Sequence, residues 1–398
     1  MNIKLYNEDE LKKDKKINFG REYQQCTLSV MDTIADPNIY FDEKGICNYY
    51  YDYIIAEKEQ CKKGIEGEIE QKKFAKKIKE NPGKNGYNCI LGLSGGADST
   101  YLAYLAKQLD LKPLLVHFDY GWNTEIAIRN VENAVKATGF DLFTFVMDWN
   151  EFRSLQRSYF KASVLDLDVP ADHMIFGSLY KIAKKYNIKY ILSGKNTWTE
   201  HTLPKTWNYD KFDLTNLKNI HKKFENTSLN HLPALGYLDR AFYHSLHKLD
   251  RIDFLEFQEY NRDEIIELIK KEMGWFNYGQ KHQESVFTRF YQGYILPVKF
   301  GIDKRKAHYS NLIYSGQLAK EKAIEMLKEP PYPLEQQFQD FEYVAKKLGF
   351  TSDEFKTVLS LPNVSHEFYG TDRKEVERFQ KILKLISPLT SIFKKLYH

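Results

Sequence analysis

Between Cys89 and Gly194, short apolar runs alternate with stretches of helical period, and that alternation leaves few folds open. The apolar runs are Cys89-Ile90-Leu91-Gly92-Leu93, 112–118, 142–147 and 189–193. The helical stretches are 100–108, 124–138 with its stop at Gly139, and 174–186. Strands that are apolar throughout have both faces covered, and strand-helix-strand order makes them parallel. With 398 residues the chain has room for this layered core and a second region beside it. After about residue 200 the alternation stops, and helical patterns at 262–273, 318–327, 336–348 and 373–385 dominate. Upstream, 56–80 reads as one charged helix that ends at the breaker cluster Asn81-Pro82-Gly83-Lys84-Asn85-Gly86. The expectation is an α/β fold with an open parallel sheet and a mostly helical C-terminal extension. It divides into a preface (1–85), an α/β domain (86–200) and a mostly helical region (201–398).

The first strand runs into Ser94-Gly95-Gly96-Ala97-Asp98-Ser99, and a helix follows. Open parallel sheets bind ligands just beyond the carboxyl ends of their strands. Glycines let backbone amides reach a phosphate, and the helix adds its positive end. Ser94 and Ser99 bring hydroxyls. Asp98 is out of place at an anion unless a cation joins it, and Mg²⁺ between Asp98 and phosphate oxygens resolves the conflict. The loop has neither the Lys-Ser/Thr of a Walker A motif nor a Gly-x-Gly-x-x-Gly fingerprint. It resembles the SGGxDS motif of the ATP pyrophosphatases, which include asparagine, GMP and NAD synthetases and tRNA thiolation enzymes. A chance match over the whole chain is on the order of one in a thousand. The resemblance implies a fold of the adenine-nucleotide alpha-hydrolase type (PP-loop, HUP-like), with ATP bound at Ser94, Gly95, Gly96, Asp98 and Ser99.

Composition removes other classes. Lys and Arg number 58 against 54 Asp and Glu, a net +4 without the basic stripe of a nucleic-acid protein. No apolar run approaches the length of a membrane span, and the first residues lack a signal region. Cys26, Cys47, Cys61 and Cys89 suggest no disulfide framework. A cytoplasmic chain with neither a nucleic-acid partner nor a membrane span is expected. The 28 Tyr and 26 Phe fit Tyr-rich cores and pockets, or simply an AT-rich genome.

Residues 20–365 resemble the N-acetyl sugar amidotransferases of bacterial surface-polysaccharide synthesis. The matching stretches include Phe118-Asp119-Tyr120-Gly121-Trp122-Asn123-Thr124-Glu125, Pro170-Ala171-Asp172-His173 and Gly194-Lys195-Asn196 with Thr199-Glu200. The longest are Tyr278-Gly279-Gln280-Lys281-His282-Gln283-Glu284-Ser285 through Pro297 and Lys299-Phe300-Gly301-Ile302-Asp303-Lys304-Arg305-Lys306-Ala307-His308. The resemblance implies conversion of an acetamido group on a nucleotide-activated sugar into an acetamidino group. ATP would adenylylate the amide oxygen, and ammonia from a separate glutaminase subunit would displace AMP. The chain has no Gly-x-Cys-x-Gly nucleophile elbow of its own. On this reading Asp98, Asp172, Glu200, Lys304 and Lys306 are candidate catalytic groups, and His117, Asp119, Gly194 and Arg305 join the loop at the nucleotide. Trp122, Asn123, His173, Asn196, His282, Glu284 and Arg289 are candidate sugar contacts. A bland basic loop at 304–306 and ordinary polar packing at His282 and Glu284 are the competing readings. Two other functions stand beside the main one: a tRNA-modifying PP-loop thiolase or ligase, and a non-catalytic nucleotide-binding module.

The chain departs from the family at its start. Many members carry two Cys-x-x-Cys pairs there, the pattern of a structural zinc site. Here the pairs read Cys26-Thr27-Leu28-Ser29 and Cys47-Asn48-Tyr49-Tyr50, so each keeps one thiol. Two thiolates do not close a tetrahedral site, and the expected cofactors are ATP and Mg²⁺ without zinc. Elemental analysis of purified protein is expected to find far less than one zinc per chain. One tightly bound zinc would call for two further ligands near Cys26 and Cys47.

Overall fold

The computed structural model describes residues 8–13, 20–279, 281 and 283–386. Its centre is a five-stranded parallel sheet: β1 (Cys89–Gly92), β2 (Pro113–Asp119), β3 (Leu142–Val146), β4 (Tyr190–Ser193) and β5 (Asp250–Asp253). The strand order is β3-β2-β1-β4-β5. Ile90 pairs with Leu114 on one side and with Ile191 on the other, so β1 lies in the middle. The chain leaves β1 toward β2 and β3, then returns to build β4 and β5 on the opposite side. The loops after β1 and β4 therefore flank the point where the winding reverses, the usual ligand crevice of such sheets.

Side chains along β1 alternate between two cores. Ile90, Leu114 and Val116 join Phe152, Leu155, Leu179 and Ile182 on one face. Cys89, Leu91 and Leu115 join Ile78, Leu102, Ile252 and Ile269 on the other. Helices Trp149–Ala162 and Val169–Tyr186 cover the first face, and Gly64–Lys79, Ala97–Gln108 and Arg262–Met273 cover the second. Burial on both faces is why β1, β2 and β4 carry almost no polar residues.

Three expectations need correction. Residues 56–80 do not form one helix. Asn48–Gln60 and Gly64–Lys79 are separate, and the break is held where the Lys62 amide donates to the Glu256 carbonyl at 2.8 Å. Helix Trp149–Ala162 gave no clear signal because polar Glu151, Ser154, Gln156 and Ser158 are on its buried side. The sheet also does not stop near residue 200. Asp250-Arg251-Ile252-Asp253 is an edge strand with only Ile252 buried, so its sequence lacks the apolar run of an inner strand. The helices foreseen at 262–273, 318–327, 336–348 and 373–385 are present as Arg262–Met273, Lys320–Lys328, Leu334–Leu348 and Arg373–Ile386.

The C-terminal part is pinned to the α/β layers by polar contacts. His366 stacks on Tyr209 with ring centroids 4.1 Å apart. Its Nε2 accepts from the Asp166 amide at 3.2 Å, and its Nδ1 lies 3.3 Å from Asn216 Oδ1. This pattern uses a neutral ring with the proton on Nδ1. Protonating Nε2 would turn its amide donor into a clash of two donors. Burial pushes the His366 pKa down to about 4, although the Asp166 charge works the other way. The unfolded chain takes up a proton near pH 6.5, and the folded chain resists until about pH 4. The stability held by the neutral ring is thus complete above pH 6.5 and is lost as pH falls toward 4. Denaturation midpoints are expected to drop between pH 7.5 and 5. His366→Gln is expected to flatten that drop by up to about 1.4 kcal/mol per pH unit. An unchanged slope would place the acid sensitivity elsewhere.

Candidate active site

β1 ends at Gly92, and helix Ala97–Gln108 begins four residues after Leu93. The helix has no side-chain cap at Gly96, so the amides of its first turn stay available to an anion. The loop between is cross-tied. Ser94 Oγ accepts from the Gly96 amide at 3.1 Å and lies 3.2 Å from Ser99 Oγ, which donates to the Gly96 carbonyl at 3.1 Å. Gly95 sits at φ +83, and its carbonyl accepts from Asn130 Nδ2 at 3.0 Å and Trp275 Nε1 at 2.9 Å. A Cβ on Gly95 would fall 2.3 Å from the Ala127 carbonyl oxygen.

A cavity of about 190 Å³ opens over the loop. Ser94, Asp98, Ser99, Gly194, Glu200, Tyr260, Arg262, Tyr278, Lys281 and Glu284 line it. Asn277, Tyr278, Gly279, Lys281 and Glu284 form another wall, tied to the chain after β2 where the Thr124 amide donates to the Glu284 carbonyl at 3.0 Å and the Val286 amide to Trp122 O at 2.9 Å. Lys281 Nζ reaches Glu200 at 2.9 Å, Thr199 Oγ1 at 2.9 Å and Asp98 at 3.3 Å. The Tyr260 hydroxyl donates to Asp98 Oδ1.

Burial opposes the Lys281 charge, but Asp98 and Glu200 outweigh it and raise its pKa. Burial, with the Asp98 charge behind it, raises the Glu284 carboxyl. Burial with Asp98 holds the Tyr260 hydroxyl far above its ordinary range. Among the described residues no set of three His, Cys, Asp or Glu side chains is close enough to hold a metal alone. Mg²⁺ does not need such a set, because it keeps several waters and pairs one or two carboxylates with substrate phosphates. Asp98, at the first turn of a helix whose amides face the same cavity, fits that mode.

The structure gathers some sequence-predicted residues and disperses others. Ser94, Gly96, Asp98, Ser99, Gly194, Glu200 and Glu284 meet in the cavity. His117 and Asn123 brace the strand ends beside it: His117 Nδ1 bonds the Leu93 carbonyl at 2.9 Å, and Asn123 Nδ2 donates to His117 Nε2 at 3.2 Å. Asp119 is exposed and accepts from the Gly121 amide at 3.1 Å.

The placing of Trp122 at the sugar is corrected. It is 1% exposed, bonds Gln156 through Nε1 at 2.8 Å, and packs on Trp149 and Phe287. His173 is fully buried between the Lys211 carbonyl and the Leu235 amide. Asn196 caps helix Thr197–Glu200 from within the core. Arg289 forks onto Asp340 with two contacts of 2.8 Å. Arg305 is bound to Asp303, and Lys306 lies 2.5 Å from Asp32 in a fully buried pair. The basic run 304–306 is therefore no open phosphate clamp. Its last two cations hold the fold, and Lys304 alone is half-buried. His282 lies outside the described residues.

Asp172 belongs to a second cluster. Lys211 Nζ contacts Asp166 at 2.6 Å and Asp172 at 3.2 Å. Burial and the Asp172 charge raise the neighbouring Asp168, while Lys211 and Lys304 work against the rise. Tyr120 is raised by burial and by the charges of Glu284, Asp168 and Asp172, so it is near acids of both groups.

Sequence reasoning missed Lys281, Tyr260, Arg262 and Tyr278. Lys281 and Tyr278 stood inside a motif already quoted, but a lysine beside a histidine drew less notice. Tyr260 and Arg262 arrive by way of β5, which the sequence did not reveal.

At the N-terminus Cys26 and Cys47 are adjacent, with the Cys47 amide 3.3 Å from Cys26 Sγ. Tyr314 donates to Ser29 Oγ at 2.7 Å and lies 3.4 Å from Cys47 Sγ, filling the space around the two thiols.

Glu284, at the wall of the cavity, is also where a likeness to known proteins begins. Residues 284–383 match the C-terminal domain of the WbpG-like LPS biosynthesis proteins. The WbpG-like stretch thus contributes Glu284 to the cavity and carries the Arg289–Asp340 and Asp303–Arg305 pairs. Two solved structures are similar at low identity. NMN synthetase from Francisella tularensis is 13% identical with a TM-score of 0.33, over 72% of this chain and 98% of that one. A predicted subunit of tRNA methyltransferase from Methanocaldococcus jannaschii is 14% identical with a TM-score of 0.28, over 56% of this chain and 90% of that one. No curated protein matches. Among the described residues no helix is long and apolar enough to cross a membrane.

The two loop glycines are expected to respond differently to alanine. Gly95→Ala needs a left-handed backbone and meets the Ala127 carbonyl, so it is expected to cost roughly 1–3 kcal/mol. At Gly96 a Cβ meets side-chain atoms that can shift, Ser94 Oγ at 3.1 Å and Tyr278 OH at 3.2 Å, with Glu284 Oε1 in ordinary contact at 3.6 Å. Gly96→Ala is expected to keep the melting temperature within a few degrees while weakening binding of an ATP analogue at least tenfold. Calorimetry and thermal melts on both variants check this. Normal nucleotide affinity in Gly96→Ala would show that the loop is not a phosphate cradle.

Proposed function

We propose that the chain is an ATP-dependent ligase of surface-polysaccharide synthesis that converts an acetamido group on a nucleotide-activated sugar into an acetamidino group. The observation that carries this reading is the uncapped glycine loop with Asp98 sharing one cavity with Glu200 and Lys281, in a chain whose residues 284–383 match a family of LPS biosynthesis. ATP would lie with its β- and γ-phosphates at Ser94 to Ser99. Mg²⁺, held by Asp98, would screen the phosphate charge there.

The amide oxygen of the sugar attacks the α-phosphorus, and the bond to pyrophosphate breaks. An O-adenylyl imidate results. Ammonia then adds to the imidate carbon, the carbon–oxygen bond to AMP breaks, and loss of a proton leaves the amidine. An amide oxygen is a weak nucleophile, so positioning and charge neutralisation supply most of the rate. Lys281 and the helix amides neutralise phosphate charge. Glu284, with its raised pKa, is placed to take the proton released when ammonia adds. The cluster of Asp166, Asp172, Lys211 and Lys304 near Tyr120 has the hydrogen-bonding character to hold a sugar or its diphosphate. Ammonia would come from a partner glutaminase.

A thiolase reading is disfavoured by the cysteines, all four of which are buried. Cys89 is inside β1, and burial alone pushes its thiol far up.

Formation of AMP and amidino sugar is to be measured with candidate nucleotide sugars under three conditions: glutamine, ammonium at alkaline pH, and glutamine with a cognate glutaminase. Turnover is expected in the second and third and little in the first. Asp98→Ala is expected to abolish pyrophosphate release without unfolding the chain. Efficient glutamine use by the isolated chain would overturn the partner, and AMP formation dependent on tRNA and a sulfur donor would overturn the sugar.

A further inference from the structure

The glycine-loop cavity carries its own cation. Lys281 Nζ spans two carboxylates, Glu200 at 2.9 Å and Asp98 at 3.3 Å, with Thr199 Oγ1 at 2.9 Å as a third acceptor. Its side chain is 16% exposed, so it is enclosed by the cavity wall and not lying on the surface. An ammonium has three donors, and here all three are accounted for. Asp98 is also the carboxylate placed to meet a divalent cation. The lysine and the metal thus claim the same oxygens, and like charges exclude each other at that range. A second observation marks the cavity as made for a further ligand. Glu284 lines it, and its Oε2 is buried with no hydrogen-bond partner among the described residues.

We propose that Lys281 is an exchangeable counter-ion. It neutralises Asp98 and Glu200 in the free chain, yields Asp98 to a divalent cation, and transfers its ammonium to the phosphate oxygens of the nucleotide. The inference rests on the ATP reading above and gives it a further residue in contact with the substrate. Two chemical facts drive the exchange. A carboxylate bridged to a divalent cation has less attraction left for the lysine. An ammonium in a confined site needs new acceptors when it loses one, and phosphate oxygens at the amide-lined loop are the strongest acceptors arriving. The four-carbon stem supplies the reach. The backbone further along is fixed at Glu284 and Val286 by hydrogen bonds with Thr124 and Trp122, and the exchange asks only for rotation about the torsions of the Lys281 stem.

The test uses Lys281→Met and Lys281→Arg in the full chain, with Mn²⁺ alone as one probe and α,β-methylene-ATP with Mg²⁺ as the other. Removing the resident cation is expected to tighten Mn²⁺ binding, read by electron paramagnetic resonance, at least tenfold. The same change is expected to weaken the nucleotide analogue at least tenfold, read by calorimetry. Lys281→Arg is expected to restore the analogue toward the wild-type value.

A purely structural lysine would weaken both probes together or neither, and either result overturns the proposal. Should Lys281→Met fail to fold, the wild-type chain gives the answer by amine acylation and peptide mass analysis. Mn²⁺ alone is expected to raise labelling of Lys281, and the analogue with Mg²⁺ to suppress it. Labelling indifferent to Mn²⁺ overturns the exchange. Labelling that responds to Mn²⁺ in a chain binding no nucleotide keeps the exchange and overturns the ATP reading instead.

Discussion

The carbonyl of Gly95 takes two hydrogen bonds from outside its own loop, and the geometry of the cavity depends on them. Asn130 comes from the helix after β2, and Trp275 follows helix Arg262–Met273. Both are buried, and Asn130 also bonds the Phe276 backbone through its amide and carbonyl. One oxygen therefore joins the loop, the helix beside it and the segment that forms another wall. A buried carbonyl pays a desolvation cost unless it finds donors, so the three parts come together or the fold is penalised. Conformation follows from the same contact, because Gly95 takes its left-handed φ where any side chain would strike Ala127.

The charge arrangement is unusual for a site meant for an anion. Asp98, Glu200 and Glu284 outnumber Lys281 and Arg262 around the cavity. Such a balance would repel a bare triphosphate, and under the proposed function it would favour one that arrives with its metal, a form of discrimination by repulsion as much as by attraction. The neighbouring cluster follows a related rule: Lys211 offsets Asp166 and Asp172. Acids held close together in a partly dry setting titrate as a group, and their proton can be placed where a substrate needs it.

Much of the fold was legible in the sequence because β1, β2 and β4 are buried on two faces, which forces apolar runs. The glycine loop was legible for another reason: its job requires small residues at fixed spacing. The fifth strand escaped because an edge strand with one buried residue has no pattern to show. Helix Trp149–Ala162 escaped because it buries polar side chains in hydrogen bonds, such as Ser154 with His221 at 2.8 Å. Among site residues, sequence reasoning favoured rare or charged types in matched motifs. Trp122, His173 and Arg289 met that standard, and the contacts the structure gives them are packing, hydrogen-bond and ion-pair partners, since a motif preserves packing partners as readily as ligands. Lys281 failed to stand out because its value lies in what faces it, and Glu200 and Asp98 are far away in the chain.

The buried pair of Lys306 and Asp32 joins positions 274 residues apart. Breaking such a pair by removing one partner typically costs about 3–5 kcal/mol, since the other charge is left stranded in the interior. The preface around Asp32 is emitted by the ribosome long before residue 306 exists. Until then its acidic side chain lacks the Lys306 counter-charge, and its apolar neighbour Val30 lacks the wall formed by Tyr309 and Ala323. The contact at Asp32 must therefore wait for most of the chain up to residue 306 to be made. Contacts of so long a range slow folding and lengthen exposure to proteases and to other nascent chains. In vivo yield should accordingly depend on how long the segment around Asp32 is protected during synthesis as well as on the intrinsic stability of the sheet.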